Sequence, residues 1–135
     1  MRLRVVSSKE EIPELNPNEQ MIHLAFRPSN MDVMALIQRC PRIRTVQTPP
    51  SYYRTMSKAA RQFLEIQGVE LLRGDVWGHR KDIDEYFMVD EGTVGEIEAM
   101  ISSGVGIDET ADTIQKKTRL ATDLIKYIAK SKITA

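Results

Sequence analysis

The sequence predicts an α/β protein: a small, mainly parallel sheet of about four strands, followed by a C-terminal three-helix portion resembling a helix-turn-helix. Three observations carry this. Short β-branched runs with turn-like flanks recur at residues 3–6, 21–26, 43–47 and 69–72. Helical patterns lie between them, an alternation that implies βαβ units and parallel strands. Beyond residue 74 no further strand pattern stands out, and three amphipathic helices follow a polar stretch.

The first crossover, KEEIPELNPNEQ, holds Pro13 and Pro17, which limit any helix there to one or two turns. In the second, Ser29 is placed to cap a helix, with Asp32 as its acidic partner three residues on. Val33, Ile37 and Cys40 then share one face, and Pro41 ends the element. In the third, Met56, Ala59, Ala60, Phe63 and Leu64 form the apolar stripe, with Gly68 as the residue after the helix. Residues 75–92 read as a bridging loop. Residues 93–103 form a helix with Val94, Ile97 and Ile101 inward, stopped at Gly104; Asp108 is expected to cap the next, which holds Ala111 and Ile114. The last runs from about residue 121 to 130, with Leu124, Ile125 and Ile128 inward. The expected organisation is therefore an α/β sheet domain at 1–74, a bridge at 75–92 and a helical portion at 93–135.

Composition supports a globular protein. With 135 residues, 41% hydrophobic and 28% charged, the chain can bury a core without staples. One cysteine, Cys40, excludes an internal disulfide framework and suits a reducing compartment. No apolar run reaches the ~18–20 residues that cross a bilayer, and MRLRVVSSKEE does not read as a signal peptide. The expected setting is cytoplasmic, with no membrane partner.

Net charge is zero, yet its distribution is uneven. Eleven Lys/Arg face seven Asp/Glu in residues 1–74; residues 75–114 are acidic; residues 115–135 hold six Lys/Arg against one acid. A basic C-terminal end can therefore present a local cationic face, although solvated helix faces account for such runs equally well.

Residues 107–130 carry the first functional reading. Two short helices broken near residues 118–120 match helix-turn-helix spacing, with Thr118 as capping hydroxyl and Leu120 as turn hydrophobe. The outward positions Arg119, Thr122, Lys126 and Lys130 pair phosphate-reaching cations with a hydroxyl that can meet a base edge. Arg119 stands where glycine is usual, and Asp123 would lie near phosphates. The expectation is DNA binding by a homodimer pairing two half-sites, weighed against helices that only pack or dimerise.

The second reading is a small-molecule or anionic-ligand site at the carboxyl ends of the strands, where open α/β sheets bind ligands. Its residues are Arg27, Ser29, Asp75, Trp77, His79 and Arg80. Helix N-termini near Ser29 and Thr55 can receive an anion. The same residues could serve only to pin the loop to the sheet by salt bridges. SSKEE after the first strand is neither a dinucleotide fingerprint nor a P-loop. His23 reads as a packed strand residue, and neither the histidines nor the acidic clusters have metal-ligand spacing. No catalytic residue, metal or cofactor is expected.

The stretches MRLRVVSSKEEIPELNPNEQ, HLAFRPSN, TPPSYYRT, FLEIQGVELLRGDVWGHRKDIDEY and TRLATDLIKYI together resemble a family of small proteins from methanogenic archaea, one of the domains of unknown function. The resemblance covers nearly the whole chain, and HLAFRPSN and GDVWGHRKDI are its most specific parts. It implies an archaeal cytoplasmic protein and carries no activity or catalytic residue with it.

Overall fold

The computed structural model describes residues 1–76 and 85–134, the side chains of 132–134 excepted. Among these residues five strands form one sheet: β1 (Arg2–Val6), β2 (Met21–Leu24), β3 (Thr45–Thr48), β4 (Glu70–Arg73) and β5 (Tyr86–Met88). Their order is β4-β3-β2-β1-β5. The first four are parallel, with Arg4 opposite Ile22, Ile22 opposite Val46 and Val46 opposite Leu71. β5 runs antiparallel to β1, Leu3 facing Phe87.

The four parallel strands fall close to their expected positions, and residues 43–47 are not helical. β5 corrects the reading of residues 75–92 as a plain bridge. A three-residue strand is too short to display a period of two, and its pairing partner lies more than eighty positions earlier.

Between the strands lie a 3-10 helix (Lys9–Glu14), α1 (Asn30–Arg39), α2 (Pro50–Thr55) and α3 (Lys58–Ile66). Ser29 and Asp32 close a reciprocal capping box on α1: Asp32 N donates to Ser29 Oγ at 3.1 Å, and Ser29 N donates to Asp32 Oδ2 at 2.9 Å. Ser57 caps α3 by accepting from Ala60 N at 3.0 Å, and Gly68 follows with φ 74°, as its C-terminal role requires. Ala59 lies exposed, outside the stripe assigned to it.

Each parallel strand is added beside the last in one direction, so right-handed crossovers place their helices on one face. There Ile12, Val33, Leu36, Ile37, Ala60 and Leu64 pack on Val6, Ile22, Leu24, Val46 and Val69, with Phe63 and Leu71 partly buried. Side chains alternate along strands, so Leu3, His23, Thr45, Gln47 and Leu72 point to the other face.

Parallel sheets are stable with both faces covered. The second cover is α4 (Glu91–Ser102), α5 (Ile107–Thr118) and α6 (Thr122–Thr134). Val94, Ile97, Ala111, Ile114, Leu124, Ile125, Ile128 and Ala129 form one buried cluster with Leu3, Leu72 and Val89. The C-terminal helices thus form the third layer of an α/β/α stack. α4 begins earlier than expected because Asp90 caps it, accepting from Thr93 N at 3.2 Å. Gly106, not Asp108, is the N-cap of α5; Asp108 sits within its first turn. No helix among the described residues is long and apolar enough to cross a membrane.

Cys40 is fully buried, donates to the Asn16 carbonyl at 3.3 Å, and has its thiol pKa raised by burial and by Glu19. The thiolate is the reactive form. Cys40 should therefore react with an aromatic disulfide reagent only as the fold opens, at a rate that climbs with urea. Rapid stoichiometric labelling in native buffer would contradict this packing.

Candidate functional site

The break between α5 and α6 is built by three residues. Thr118 Oγ1 donates to the Ile114 carbonyl at 2.7 Å and accepts from Leu120 N at 3.3 Å. Arg119 takes the left-handed conformation at φ 62°, where a glycine would be unstrained. Leu120 turns inward and is 8% exposed. The chain thereby reverses in three residues and sends α6 across α5.

One side of α6 is core: Leu124, Ile125, Ile128 and Ala129 are each at most 1% exposed. A second side lies along β4. Arg73 N donates to Asp123 Oδ2 at 2.9 Å, fixing the first turn of α6 to the end of the strand. Asp123 is thus committed to the sheet rather than turned toward phosphates. Lys130 Nζ lies 3.8 Å from Glu70 Oε1. Tyr127 between them is half-buried, and burial raises its phenol pKa, Glu70 adding to the shift and Arg44 opposing it.

The outward face is consequently narrower than its sequence spacing suggested. Thr122, Lys126 and Lys130 form the remaining strip; the first two are half-buried and Lys130 is exposed. Lys126 Nζ is 3.3 Å from Asp108 Oδ1, whose side chain is 92% exposed. Exposed ion pairs of this kind contribute about 0–1 kcal/mol, so an incoming phosphate can displace their carboxylates. Arg119 is exposed and forms no ion pair among the described residues.

The strand ends carry a separate polar group. His23 and Gln47 are register partners on β2 and β3, both buried, with His23 Nδ1 and Gln47 Oε1 2.8 Å apart. His23 Nε2 faces Asp75 Oδ1 at 3.5 Å, within ion-pair reach but outside hydrogen-bond geometry. His23 Nε2, Gln47 Nε2 and Thr48 Oγ1 are buried without hydrogen-bond partners among the described residues. His23 is the packed strand residue expected; its link to Asp75 escaped sequence reading. The usable signal was a polar residue at matching inward positions of two neighbouring strands.

Arg27 and Ser29 form a different group. Arg27 donates to Thr55 Oγ1 and stacks 5.1 Å from the Tyr52 ring, while Ser29 is occupied as the cap of α1. Trp77, His79 and Arg80 lie outside the described residues, and with them the expected convergence on Asp75.

A cavity of about 440 Å³ opens where the strand ends meet the α5–α6 turn. Arg73, Asp75, Gln115, Arg119, Thr122 and Asp123 are among its lining residues. Gly74 forms part of the wall, and only hydrogen fits there: a Cβ would lie 2.2 Å from Ala121 Cβ and 2.9 Å from Gln47 Nε2.

A mostly parallel sheet closed on its second face by a three-helix, helix-turn-helix-like unit defines the class of protein. The chain belongs to the DUF1699 family of unknown function: the model of the family's N-terminal domain matches residues 2–85, and that of its C-terminal HTH domain matches residues 92–130. No curated protein and no solved structure gives a match.

Proposed function

We propose that the chain binds duplex DNA through its C-terminal helix-turn-helix, as a cytoplasmic regulatory protein. Arg119 of the turn and the Thr122–Lys126–Lys130 strip of α6 face the DNA. The observation that supports this most directly is the strip itself. It is the side of α6 turned away from the core, and it carries both lysines of the helix whose side chains are described. Only its far end, where Lys130 reaches Glu70 at 3.8 Å, meets β4. Lys126, Lys130 and Arg119 contact phosphates; Thr122, near the N-terminal end of α6, is placed for a base edge. A short reading helix covers few base pairs, so the reading includes a homodimer spanning two half-sites.

Binding should weaken steeply with salt, because each neutralised phosphate releases counterions. Replacing Lys126 and Lys130 with Ala should lower affinity for all sequences and shallow the salt slope by about one unit per lost contact. Asp108→Asn should do the reverse, strengthening binding by freeing Lys126 from its carboxylate. Absence of duplex binding at low salt, or an Asp108→Asn protein that binds no better, would count against this surface.

A further inference from the structure

We propose that the cavity between the strand ends and the α5–α6 turn is a binding site for a small molecule carrying a phosphate group, held between Arg73 and Arg119. These two arginines come from β4 and from the turn before α6, and both line the cavity. Neither forms an ion pair with a carboxylate among the described residues. Arginine's planar fork of donors is the group best suited to grip phosphate, and two of them from different elements line this one cavity.

Three further features agree. The first turn of the thirteen-residue helix α6 borders the cavity at Thr122 and Asp123, so its unpaired N–H groups and positive dipole end add to the attraction. Beside it, Gln47 Nε2 lies buried and unpartnered against Gly74, and His23 Nε2 lies buried beyond it. Buried polar atoms without hydrogen-bond partners are rare and costly, and Gln47 Nε2 lies directly behind the Gly74 wall of the cavity. The cavity also stands at the carboxyl ends of parallel strands.

Two carboxylates oppose this. Asp123 is engaged by Arg73 N at 2.9 Å. Asp75 accepts from Val76 N at 2.8 Å and faces His23. Both are thereby turned in part toward protein donors. The Arg73 guanidinium also lies 5.8 Å from the Tyr53 ring, a loose contact that leaves its donors available to a ligand. The volume lies at the small end of metabolite sites and suits a compact ligand rather than a polymer.

The site shares Arg119 and Thr122 with the proposed DNA face but not Lys126 or Lys130, and calorimetry with inorganic pyrophosphate at fixed ionic strength tests it separately. The full chain should give saturable, one-site binding. Arg73→Gln should weaken it at least tenfold. Arg119→Gly should do the same while leaving the melting temperature equal or higher, because glycine relieves the left-handed backbone; that variant separates lost binding from lost folding. Lys126→Ala with Lys130→Ala should leave pyrophosphate binding unchanged. No saturable heat from the full chain, or unaltered affinity in both arginine variants, would overturn the proposal. Because Arg119 and Thr122 belong to both surfaces, a 20-base-pair duplex should compete with pyrophosphate. An Arg73→Gln protein that loses duplex binding as fully as pyrophosphate binding would also overturn the proposal, by assigning the phosphate to a nucleic-acid backbone.

Discussion

A chain ending at Val89 should fail to hold the sheet that residues 1–89 contribute. Leu3 and Leu72 are 1% and 3% exposed, and on their face of the sheet the cover is α4, α5 and α6. Removing those helices uncovers Leu3, Leu72 and Val89, along with the partly buried Met21 and Phe87. Each large apolar side chain returned to water costs about 1.5–3 kcal/mol, so a handful rivals the roughly 5–15 kcal/mol that holds a typical domain together. The full chain should unfold in urea in one sharp transition. The fragment should give a broad or absent transition, bind a hydrophobic dye and associate on a sizing column. A monomeric fragment with cooperative unfolding would establish the N-terminal segment as an independent domain and refute the shared core.

The second large effect is expected at Gly74. Alanine there places its Cβ 2.2 Å from Ala121 Cβ and 2.9 Å from Gln47 Nε2. The Gln47 amide is the far end of a flexible side chain and can give way. Ala121 Cβ has no rotamer to change, so the start of α6 must move, straining the Asp123 bond to Arg73 N. Overpacking of this kind costs about 1–3 kcal/mol. With roughly 3–5 °C per kcal/mol for a chain of this size, melting should fall by about 3–15 °C. Ala121→Gly on the same background should recover most of the loss by removing the nearer clash. A Gly74→Ala protein that melts like the parent would mean that α6 does not abut the strand end as described.

Several elements were legible because their signals are local. The β-branched runs at β1 to β4, the Ser29–Asp32 cap and Gly68 each declare themselves within a few residues. The inward positions Leu124, Ile125 and Ile128 do so by helical spacing. The third layer follows only once the strand order is known, since strands added in one direction leave a face that something must cover. What escaped depends on register between distant segments. The β5 strand needs β1 to exist, and His23 meets Gln47 and Asp75 only once β2, β3 and the end of β4 are aligned. The narrowing of the α6 face was equally hidden, because Glu70 and Arg73 approach it from fifty or more positions away.

The place of β1 inside the sheet bears on how the chain assembles as it is made. β1 is the first of the five strands to be synthesised, yet its second neighbour, β5, follows only after residue 85. Until then β1 is an open edge able to pair with a strand of another chain. Its sequence, Arg-Leu-Arg-Val-Val, places positive charges at the first and third positions of that edge, where they repel a second copy. When β5 arrives, Tyr86 receives both, with Arg2 4.1 Å and Arg4 5.9 Å from its ring. The charges that guard the growing edge become the contacts that close it.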